Sequence, residues 1–360
     1  MGGAVYPMIG IRHVRSWDGP GNAGRWPARG LTCQEKWGGR DARVPRIVNC
    51  ASFPAVDKPV VIVNPRSGGG INEKRWASVV GALTDGLGTF DTRFTEHSGH
   101  ARTIACDEAK AGRKLVVALG GDGTISEVAD GLVHAGSKAE MGIIPRGTGG
   151  DFRRTLGIEN ELFKAAERVR KSLPRNVDIG RIRYVAHDGA ETTRHFINVA
   201  SFGFSSVVAQ RANDSSKRLG GRVSFLSAVV RSLLTYDNAD VTVSVDGGEA
   251  RRMTVLLAAV GNGRFFGGGM KICPEAKLDD GSFDLVAVGD LGRIEVLAKI
   301  HRIYSGDHLS MKEVRSTRCR HVRVAPAEPS QEIPVEIDGE TPGHLPASFE
   351  MLEGALRLRG

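Results

Sequence analysis

Residues 115–124 read LVVALGGDGT, an apolar run of strand length that ends in a glycine-rich turn. Apolar residues then recur at the spacing of an amphipathic helix, at Ile125, Val128, Ala129, Leu132 and Val133. A buried strand that passes through a tight turn into such a helix is typical of a βαβ unit, whose strands run parallel. The stretch therefore predicts an open parallel sheet with this turn at the carboxyl end of one strand.

The same alternation extends to both sides of this stretch. Strand patterns lie at 60–63, 90–94, 115–119 and 141–144, and helical spacing separates them at 76–87, 100–111 and 125–133. We predict a Rossmann-like α/β domain over residues 58–177.

Beyond residue 178 the pattern changes to strands separated by turns. They are predicted at 178–185, 196–204, 241–245, 254–260, 283–288, 321–324, 335–337 and 349–358, with helices at 222–235 and 291–304. We predict a mainly antiparallel β-sandwich domain over residues 178–360, and we leave open that its last strand returns to the first domain. The fold class is thus α/β plus β, with a cleft between the two domains.

Composition excludes several classes of protein. The 360 residues are 41% hydrophobic and 25% charged, which fits a globular chain of two domains, and no apolar run reaches the length of a membrane-spanning helix. Residues 1–58 hold nine basic and four acidic residues, so +5 of the net charge of +8 lies there and no nucleic-acid partner is indicated. Five cysteines form no CxxC pair, which favours a reducing, cytoplasmic compartment. Residues 1–57 show no periodicity and are predicted to be a disordered or artefactual extension.

Three glycine-rich turns follow three of the predicted parallel strands. They are NPRSGGG at 64–70, GGDGT at 120–124 and PRGTGGDF at 145–152. Each one alone is equally well explained as an ordinary βα loop. Ligands of open α/β sheets bind beyond the carboxyl ends of the strands, and backbone amides at helix N-termini bind phosphate, so three such turns together predict a phosphate-binding crevice.

Asp122 is the acidic residue of the middle turn. A carboxylate repels phosphate, so its predicted role is contact with Mg²⁺, directly or through water, or proton handling on an accepting hydroxyl. The alternative is a helix cap.

Other nucleotide and hydrolase motifs are absent from the sequence. There is no GxxxxGK[ST], and no GxGxxG after a strand with an acidic residue about twenty positions later. There is also no HExxH or GxSxG. The sequence therefore does not support dehydrogenase, Walker-type or serine-hydrolase chemistry.

The turns, in this order and spacing, resemble the catalytic domain of the diacylglycerol kinase and sphingosine kinase family, with the bacterial lipid kinases as the nearer branch. Later motifs extend the resemblance over about 59–360: Asn262-Gly263, Phe266 to Met270, Pro274-Glu275-Ala276, Asp279-Asp280-Gly281 with Asp284, and Asp338-Gly339-Glu340. The chain departs from the family pattern at Ser126 and Gly150, where asparagine is usual.

The resemblance implies a role for each matching residue. The nucleotide contacts would be Asn64, Ser67, Gly68, Gly69, Gly120, Gly121, Gly123, Thr124, Gly147 and Thr148. Asp122 would be the aspartate required for activity, Glu340 the base that deprotonates the lipid hydroxyl, and Asp280 a Mg²⁺ ligand in addition to Asp122. Without the resemblance, Glu340 would be read as part of a solvated hairpin turn and Asp280 as part of an ordinary turn.

The implied activity is an ATP- and Mg²⁺-dependent lipid kinase that phosphorylates a hydroxyl of diacylglycerol, giving phosphatidic acid, or of a sphingoid-like lipid. A kinase of the same superfold, such as an NAD kinase, is an alternative, although the 64–70 turn and the late Asp-Gly-Glu argue against it. A catalytically weak lipid-binding or regulatory protein is another.

The expected location is cytoplasmic and peripheral to the membrane. Basic residues at 217–222 precede an apolar helical pattern at 223–234, which fits a helix at the membrane surface or over an acyl pocket, or one packed on the sandwich. The sequence does not fix the oligomeric state, and a homodimer is one state considered.

Overall fold

The computed structural model describes residues 58–214, 229, 231–233 and 235–360. The first four strands are parallel, in the order β2-β1-β3-β4. They are β1 (Val60–Val63), β2 (Asp91–Phe94), β3 (Leu115–Gly120) and β4 (Glu140–Pro145). Strand β1 has the sequence VVIV and is buried throughout, as expected of a central strand covered on both faces.

Helices connect these strands as predicted. They are α1 (Glu73–Leu87), α2 (His100–Lys110) and α3 (Asp122–His134). Two further helices, α4 (Asp151–Leu156) and α5 (Leu162–Lys171), follow β4 and were not predicted. The Asn72 side chain caps α1 by accepting a hydrogen bond from the Arg75 amide at 2.9 Å. The parallel α/β arrangement predicted from the sequence is therefore confirmed.

The rest of the described chain is mainly antiparallel. Its strands are β5 (Arg175–Ala186), β6 (Glu191–Phe196), β7 (Val199–Gly203), β8 (Ala239–Val245), β9 (Arg251–Val255), β10 (Leu257–Gly261), β11 (Phe283–Val288), β12 (Val314–Cys319), β13 (His321–Pro326), β14 (Pro334–Ile337) and β15 (Glu340–Arg359). Its helices are α6 (Phe204–Asp214), α7 (Arg293–Lys299) and α8 (His301–Ser305).

Two layers of strands enclose an apolar core. One layer runs β12-β11-β10-β7-β14, and the other runs β9-β8-β13-β15-β5-β6. Phe196 stacks on Phe283 at 5.6 Å between ring centroids and meets Phe349 edge-on at 6.4 Å, which joins the layers through large buried side chains. The predicted β-sandwich is confirmed.

Strand β15 connects both parts of the fold. Along its length it pairs with β14, β13 and β5, and its last residues, 357–359, pair in parallel with 140–142 of β4. The carboxyl end of the chain therefore extends the parallel sheet.

The structure differs from the predicted elements in several places. The strand predicted at 254–260 is two strands, β9 and β10, and the helix predicted at 291–304 is divided into α7 and α8. Strands β6 and β12 were not predicted because each pairs along one side only and its sequence, ETTRHF or VRSTRC, is mostly polar. The predictions for 1–57, for 217–222 and for most of 223–234 fall outside the described residues. No helix in the described part of the chain has the length and hydropathy needed to cross a bilayer.

Candidate active site

The three glycine turns meet at the carboxyl ends of β1, β3 and β4. We call them the first (64–70), second (120–124) and third (145–152) turns. The side-chain amide of Asn64 donates to the Thr124 hydroxyl at 3.2 Å, which joins the first turn to the second. The Arg146 guanidinium donates to the carbonyls of Ser67 at 2.5 Å and Gly70 at 3.2 Å, which joins the third turn to the first. The turns thus form one continuous surface.

Glycine is required where the second and third turns touch. A Cβ on Gly147 would lie 2.6 Å from the Cα of Gly121, and a Cβ on Gly120 would lie 2.5 Å from the Thr124 hydroxyl oxygen. Because the first clash is between the added Cβ and the backbone of Gly121, no side-chain movement can relieve it. The glycines of these turns therefore permit close packing as well as access to a ligand.

Asp122 holds the third turn in place. It is the first residue of α3, and its Oδ2 accepts from the Gly150 amide at 2.7 Å while Oδ1 accepts from the Phe152 amide at 3.1 Å. Gly150 adopts a left-handed conformation with φ of 66° just before α4. Asp122 therefore caps a different helix from its own, and its carboxylate faces the crevice between the second and third turns.

Asp151 is a buried acid that the sequence analysis quoted within the third turn without giving it a role. Its Oδ2 accepts from the Gly268 amide at 2.8 Å, and its Oδ1 accepts from the Arg154 guanidinium at 2.9 Å. Burial, reinforced by the charge of Asp122, raises the pKa of Asp151 to about 6. Asp151 connects the third turn to the 266–270 segment of the sandwich.

A cavity of about 1070 Å³ begins at this crevice and continues into the second half of the fold. Asp122, Thr148 and Asp151 lie in its wall at the glycine turns. Farther in, its wall is mainly apolar and includes Val208, Leu257, Met270, Ile300, Ile303 and Met311. One continuous space therefore joins a polar, glycine-rich end to an apolar interior.

Two further acids line this cavity from the end of β14. Glu336 is buried, and its carboxylate accepts hydrogen bonds from the Ser201 hydroxyl and, at 2.6 Å, from the Gly339 amide. Burial raises the pKa of Glu336 to about 7, and the charge of Asp338 contributes to this rise. Asp338 accepts the amides of 197, 198 and 199, each at 3.0 Å, and burial raises its pKa. The turn at 338–339 is therefore fixed by its own carboxylate. Sequence reasoning quoted Asp338 as a motif residue and missed Glu336, whose burial follows from long-range pairing.

Glu340 follows the cavity-lining turn at 338–339 and is held by an arginine. Its Oε2 accepts a hydrogen bond from Arg194 at 2.8 Å, and it is not among the described residues that line the cavity. The Arg194 guanidinium also lies 3.9 Å from the carboxylate of Asp130, a fully buried acid of α3 that forms an ion pair with Arg102 at 2.9 Å. Glu340 is thus linked through an arginine to the helix that begins at Asp122.

Asp280 lies apart from the glycine turns and does not line the cavity. Its carboxylate is paired with Arg318 and accepts from the Ser282 amide at 3.2 Å. Within the described ranges, no group of three or more His, Cys, Asp or Glu side chains is placed to hold a metal ion. The structure therefore brings the predicted nucleotide residues and Asp122 together and leaves Asp280 beside an arginine.

Comparisons with known proteins agree with this architecture. Two family models match the chain: the diacylglycerol kinase catalytic domain over residues 58–182 and the YegS C-terminal NAD kinase beta sandwich-like domain over residues 198–360. A diacylglycerol kinase from Bacillus subtilis (strain 168) is 30% identical over 297 residues, which are 80% of this chain and 91% of that protein. A "probable lipid kinase YegS-like" protein from Pseudomonas savastanoi pv. phaseolicola is 32% identical over 275 residues, 74% of this chain and 83% of its own. The crystal structure of a diacylglycerol kinase from Bacillus anthracis str. Sterne has the same fold, with a TM-score of 0.62 and 23% identity over 84% of this chain and 96% of its own.

Proposed function

The chain belongs to the diacylglycerol kinase and YegS-like lipid kinase family and is a phosphotransferase with an alcohol group as acceptor, and we propose that it transfers the γ-phosphoryl group of ATP to the hydroxyl of diacylglycerol or of a sphingoid-like lipid. One observation carries the proposal: a single cavity of about 1070 Å³ joins the glycine turns to an apolar interior. Phosphoryl transfer needs the γ-phosphate and the acceptor hydroxyl to be positioned together, and a continuous space would let a lipid present its hydroxyl at the glycine turns.

The nucleotide phosphates would lie on the three glycine turns. Backbone amides there, the positive end of α3 and the Arg146 guanidinium favour anions. The residues proposed to hold the nucleotide are Asn64, Ser67, Gly68, Gly69, Gly120, Gly121, Gly123, Thr124, Gly147 and Thr148.

Mg²⁺ would enter this site with the phosphates. Each oxygen of Asp122 accepts one amide, so each retains a lone pair that can bind water of a hydrated ion. That fits Mg²⁺, which keeps several waters and needs only one or two carboxylates besides phosphate oxygens. The ion would neutralise charge that develops on the transferred group. The Mg²⁺ role of Asp280 stays a prediction, because Arg318 already supplies its carboxylate with a positive charge.

Glu340 is the acid proposed to accept the proton of the lipid hydroxyl. It follows Gly339, which lines the cavity, and Arg194 donates to its Oε2, so the proposed proton transfer would use Oε1. A carboxylate is a sufficient base for this reaction provided that it reaches the hydroxyl.

The apolar interior would hold the acyl chain of the acceptor. Burial contributes about 0.8 kcal/mol for each CH₂ group, so a long chain gains most of its binding energy there. This lining favours a lipid acceptor over the polar dinucleotide that an NAD kinase-like enzyme would phosphorylate.

The test is ATP-dependent phosphate transfer by the full chain with Mg²⁺, offered diacylglycerol, monoacylglycerol, sphingosine, ceramide and NAD separately in mixed micelles. We expect transfer to one lipid class, with loss of transfer in Asp122→Asn. Transfer to NAD alone would replace the proposal with an NAD kinase-like activity. Lipid binding without transfer to any acceptor would leave a binding or regulatory protein.

A further inference from the structure

Glu336 is a buried acid in the cavity wall, and no step of the proposed phosphoryl transfer uses it. It lies on β14 beside β7, and its side chain is only 4% exposed. None of the groups that act most strongly on its carboxylate is a cation: they are the Ser201 hydroxyl, the Gly339 amide and the carboxylates of Asp338 and Asp151. A buried carboxylate without a cationic neighbour is costly. The presence of Glu336 in the wall therefore needs an explanation.

The carboxylate of Glu336 still has capacity to accept hydrogen bonds. One oxygen accepts from the Ser201 hydroxyl and the other from the Gly339 amide at 2.6 Å. A carboxylate has about four lone-pair positions, so about two remain. Asp338 differs, because its carboxylate already accepts three backbone amides, those of residues 197, 198 and 199, each at 3.0 Å. Of these two neighbouring acids, Glu336 has the greater capacity to bind a donor of a ligand.

A second hydrogen-bond acceptor lies in the same wall. Ser205, in the first turn of α6, lines the cavity, and its hydroxyl donates to the Ser201 hydroxyl at 2.9 Å. Ser201 in turn donates to Glu336, so the hydrogens of both hydroxyls are directed along this chain towards the carboxylate. The oxygen of Ser205 keeps a lone pair that can accept from the cavity. The wall at Glu336 and Ser205 thus presents hydrogen-bond acceptors.

The charges of the cavity wall also favour a donor. Its acidic lining residues are Asp122, Asp151, Glu336 and Asp338, and its basic ones are Arg154 and Lys299. Arg154 pairs with Asp151 at 2.9 Å. Lys299 pairs with Glu295 at 3.3 Å and Glu313 at 3.0 Å, and neither of these acids lines the cavity. The bases therefore compensate one of the four acids in the wall, and the charge that remains is negative.

Glu336 lies near the place where the acceptor hydroxyl would react. The charge of Asp151 in the third turn acts on it, and its carboxylate is bonded to the amide of Gly339, the residue before Glu340. On the other side, Val208 is part of the apolar wall and follows Ser205 by about one turn of α6. A lipid chain along the apolar wall would thus have the atoms beside its reacting hydroxyl next to Glu336 and Ser205.

We infer that Glu336 and Ser205 bind a second hydrogen-bond donor of the acceptor lipid, an ammonium or hydroxyl group close to the hydroxyl that is phosphorylated. The inference rests on the proposed function and narrows it. The favoured acceptor has a free amine or hydroxyl beside the reacting hydroxyl, as a sphingoid base or a monoacylglycerol has. Diacylglycerol fits this part of the wall less well, because the carbon next to its reacting end carries an ester, which only accepts hydrogen bonds.

The first test is isothermal titration calorimetry of the full chain with three soluble compounds. They are 1-O-octylglycerol and its analogues with an amino group or a methoxy group in place of the 2-hydroxyl, so that only the group beside the reacting hydroxyl differs. We expect the amine and the hydroxyl compound to bind roughly tenfold or more tightly than the methyl ether, since hydrogen bonds to a charged group are the stronger ones. A preference for the amine alone would identify the donor as an ammonium. Equal affinity for all three compounds would overturn the inference.

Variants then assign the preference to the two residues. Glu336→Gln keeps the shape without the charge and should lower the preference for the amine to roughly threefold or less, and Ser205→Ala should lower the preference for the hydroxyl compound by roughly threefold or more. The matched control is Ser206→Ala, because Ser206 is fully buried, donates to the Ser201 carbonyl at 3.3 Å and does not line the cavity. It should keep both preferences. Full preferences in Glu336→Gln would mean that the bulk of the methoxy group causes them, and the inference would fail.

Phosphate transfer from ATP to the same three compounds separates the inference from the proposed function. We expect kcat/KM to follow the order of the affinities. Equal kcat/KM and equal affinity for all three would support a lipid kinase and overturn the role of Glu336 and Ser205. If binding depends on Glu336 while neither these compounds nor the lipids in micelles are phosphorylated, the proposed function fails and the donor-binding site stands.

Discussion

Asp122 supplies both of its carboxylate oxygens to amides of the third turn, so its replacement tests the organisation of the turns and the chemistry together. Asparagine keeps the shape but offers one acceptor oxygen to two amide donors. We expect Asp122→Asn to lower kcat by about 10²-fold or more, the scale of a lost electrostatic contact at a transition state, with the fold retained. Steady-state kinetics with the exposed Asp85→Asn as control checks this. Near-normal kcat in Asp122→Asn would remove Asp122 from the mechanism.

Glu336 makes stability depend on pH in a direction opposite to that of a paired surface acid. Burial raises its pKa from 4.5 to about 7, so between these values the folded chain binds more protons at this site than the unfolded chain. The contribution of Glu336 to stability is therefore largest at low pH and falls as pH rises towards 7. The acids that face it are Asp338 from the next turn and Asp151 from α4, and both charges raise its pKa further.

Glu336→Gln should remove this dependence. The amide oxygen still accepts from the Gly339 amide, and no charge is buried at high pH. We expect the variant to be more stable than the unaltered chain by roughly 1–3 kcal/mol at pH 8 and to match it near pH 4.5. Urea unfolding at both pH values measures the difference. A variant that is less stable at pH 8 would mean that the carboxylate is ionised and well stabilised in the folded chain.

At the scale of elements, the contact between the second and third turns leaves no room for a side chain at Gly147. The added Cβ would press on backbone, 2.6 Å from Gly121 Cα, so the turns must separate. We expect Gly147→Ala to reduce stability by about 1–3 kcal/mol and to raise KM for ATP at least tenfold. Gly81→Ala is the control, since Gly81 lies in α1 with no atom near its Cβ position and alanine should stabilise that helix by up to about 1 kcal/mol. An unchanged KM for ATP in Gly147→Ala would show that the nucleotide does not use this contact.

The elements that the sequence predicts well are those with a strong local pattern. Strand β1 and strand β3 are short apolar runs followed by glycine turns, and both lie where the pattern puts them. Edge strands β6 and β12 carry polar residues on exposed faces, so their hydrophobic pattern does not differ from that of loop sequences. The local sequence pattern thus predicts central strands, but it misses edge strands, which pair with a neighbour on one side only.

The candidate site divides in the same way. The glycine turns could be found from the sequence because each follows a strand within a few residues. The partners of the acids could not, since Asp122 meets amides 28 and 30 residues away and Glu340 meets Arg194 across 146 residues. No sequence pattern identified Glu336 as a site residue, because only the pairing of β14 with β7 buries it beside Ser201.

At the scale of the whole molecule, β15 determines whether the two halves unfold together. Its first part belongs to the sandwich, and its last residues pair with β4 of the parallel sheet, where Leu358 is fully buried. The domain limits of 58–177 and 178–360 stay a prediction. A segment that contributes core residues to both halves opposes separate unfolding, because neither half can release β15 without exposing apolar surface of the other.

Leu358→Ala tests this coupling. Removing a buried leucine side chain costs about 2–5 kcal/mol, and the lost contacts lie in the core of the parallel sheet. If the halves unfold as one unit, hydrogen exchange measured by mass spectrometry should show the same fall in opening free energy for peptides that contain β1 and for peptides that contain β11. If β11 keeps its protection while β1 loses it, the sandwich is stable on its own and β15 joins two independent units. Equal loss of protection in the β1 and β11 peptides would instead mean that the two halves form a single cooperative structure. Damage to either half would then open the cavity between the glycine turns and the sandwich.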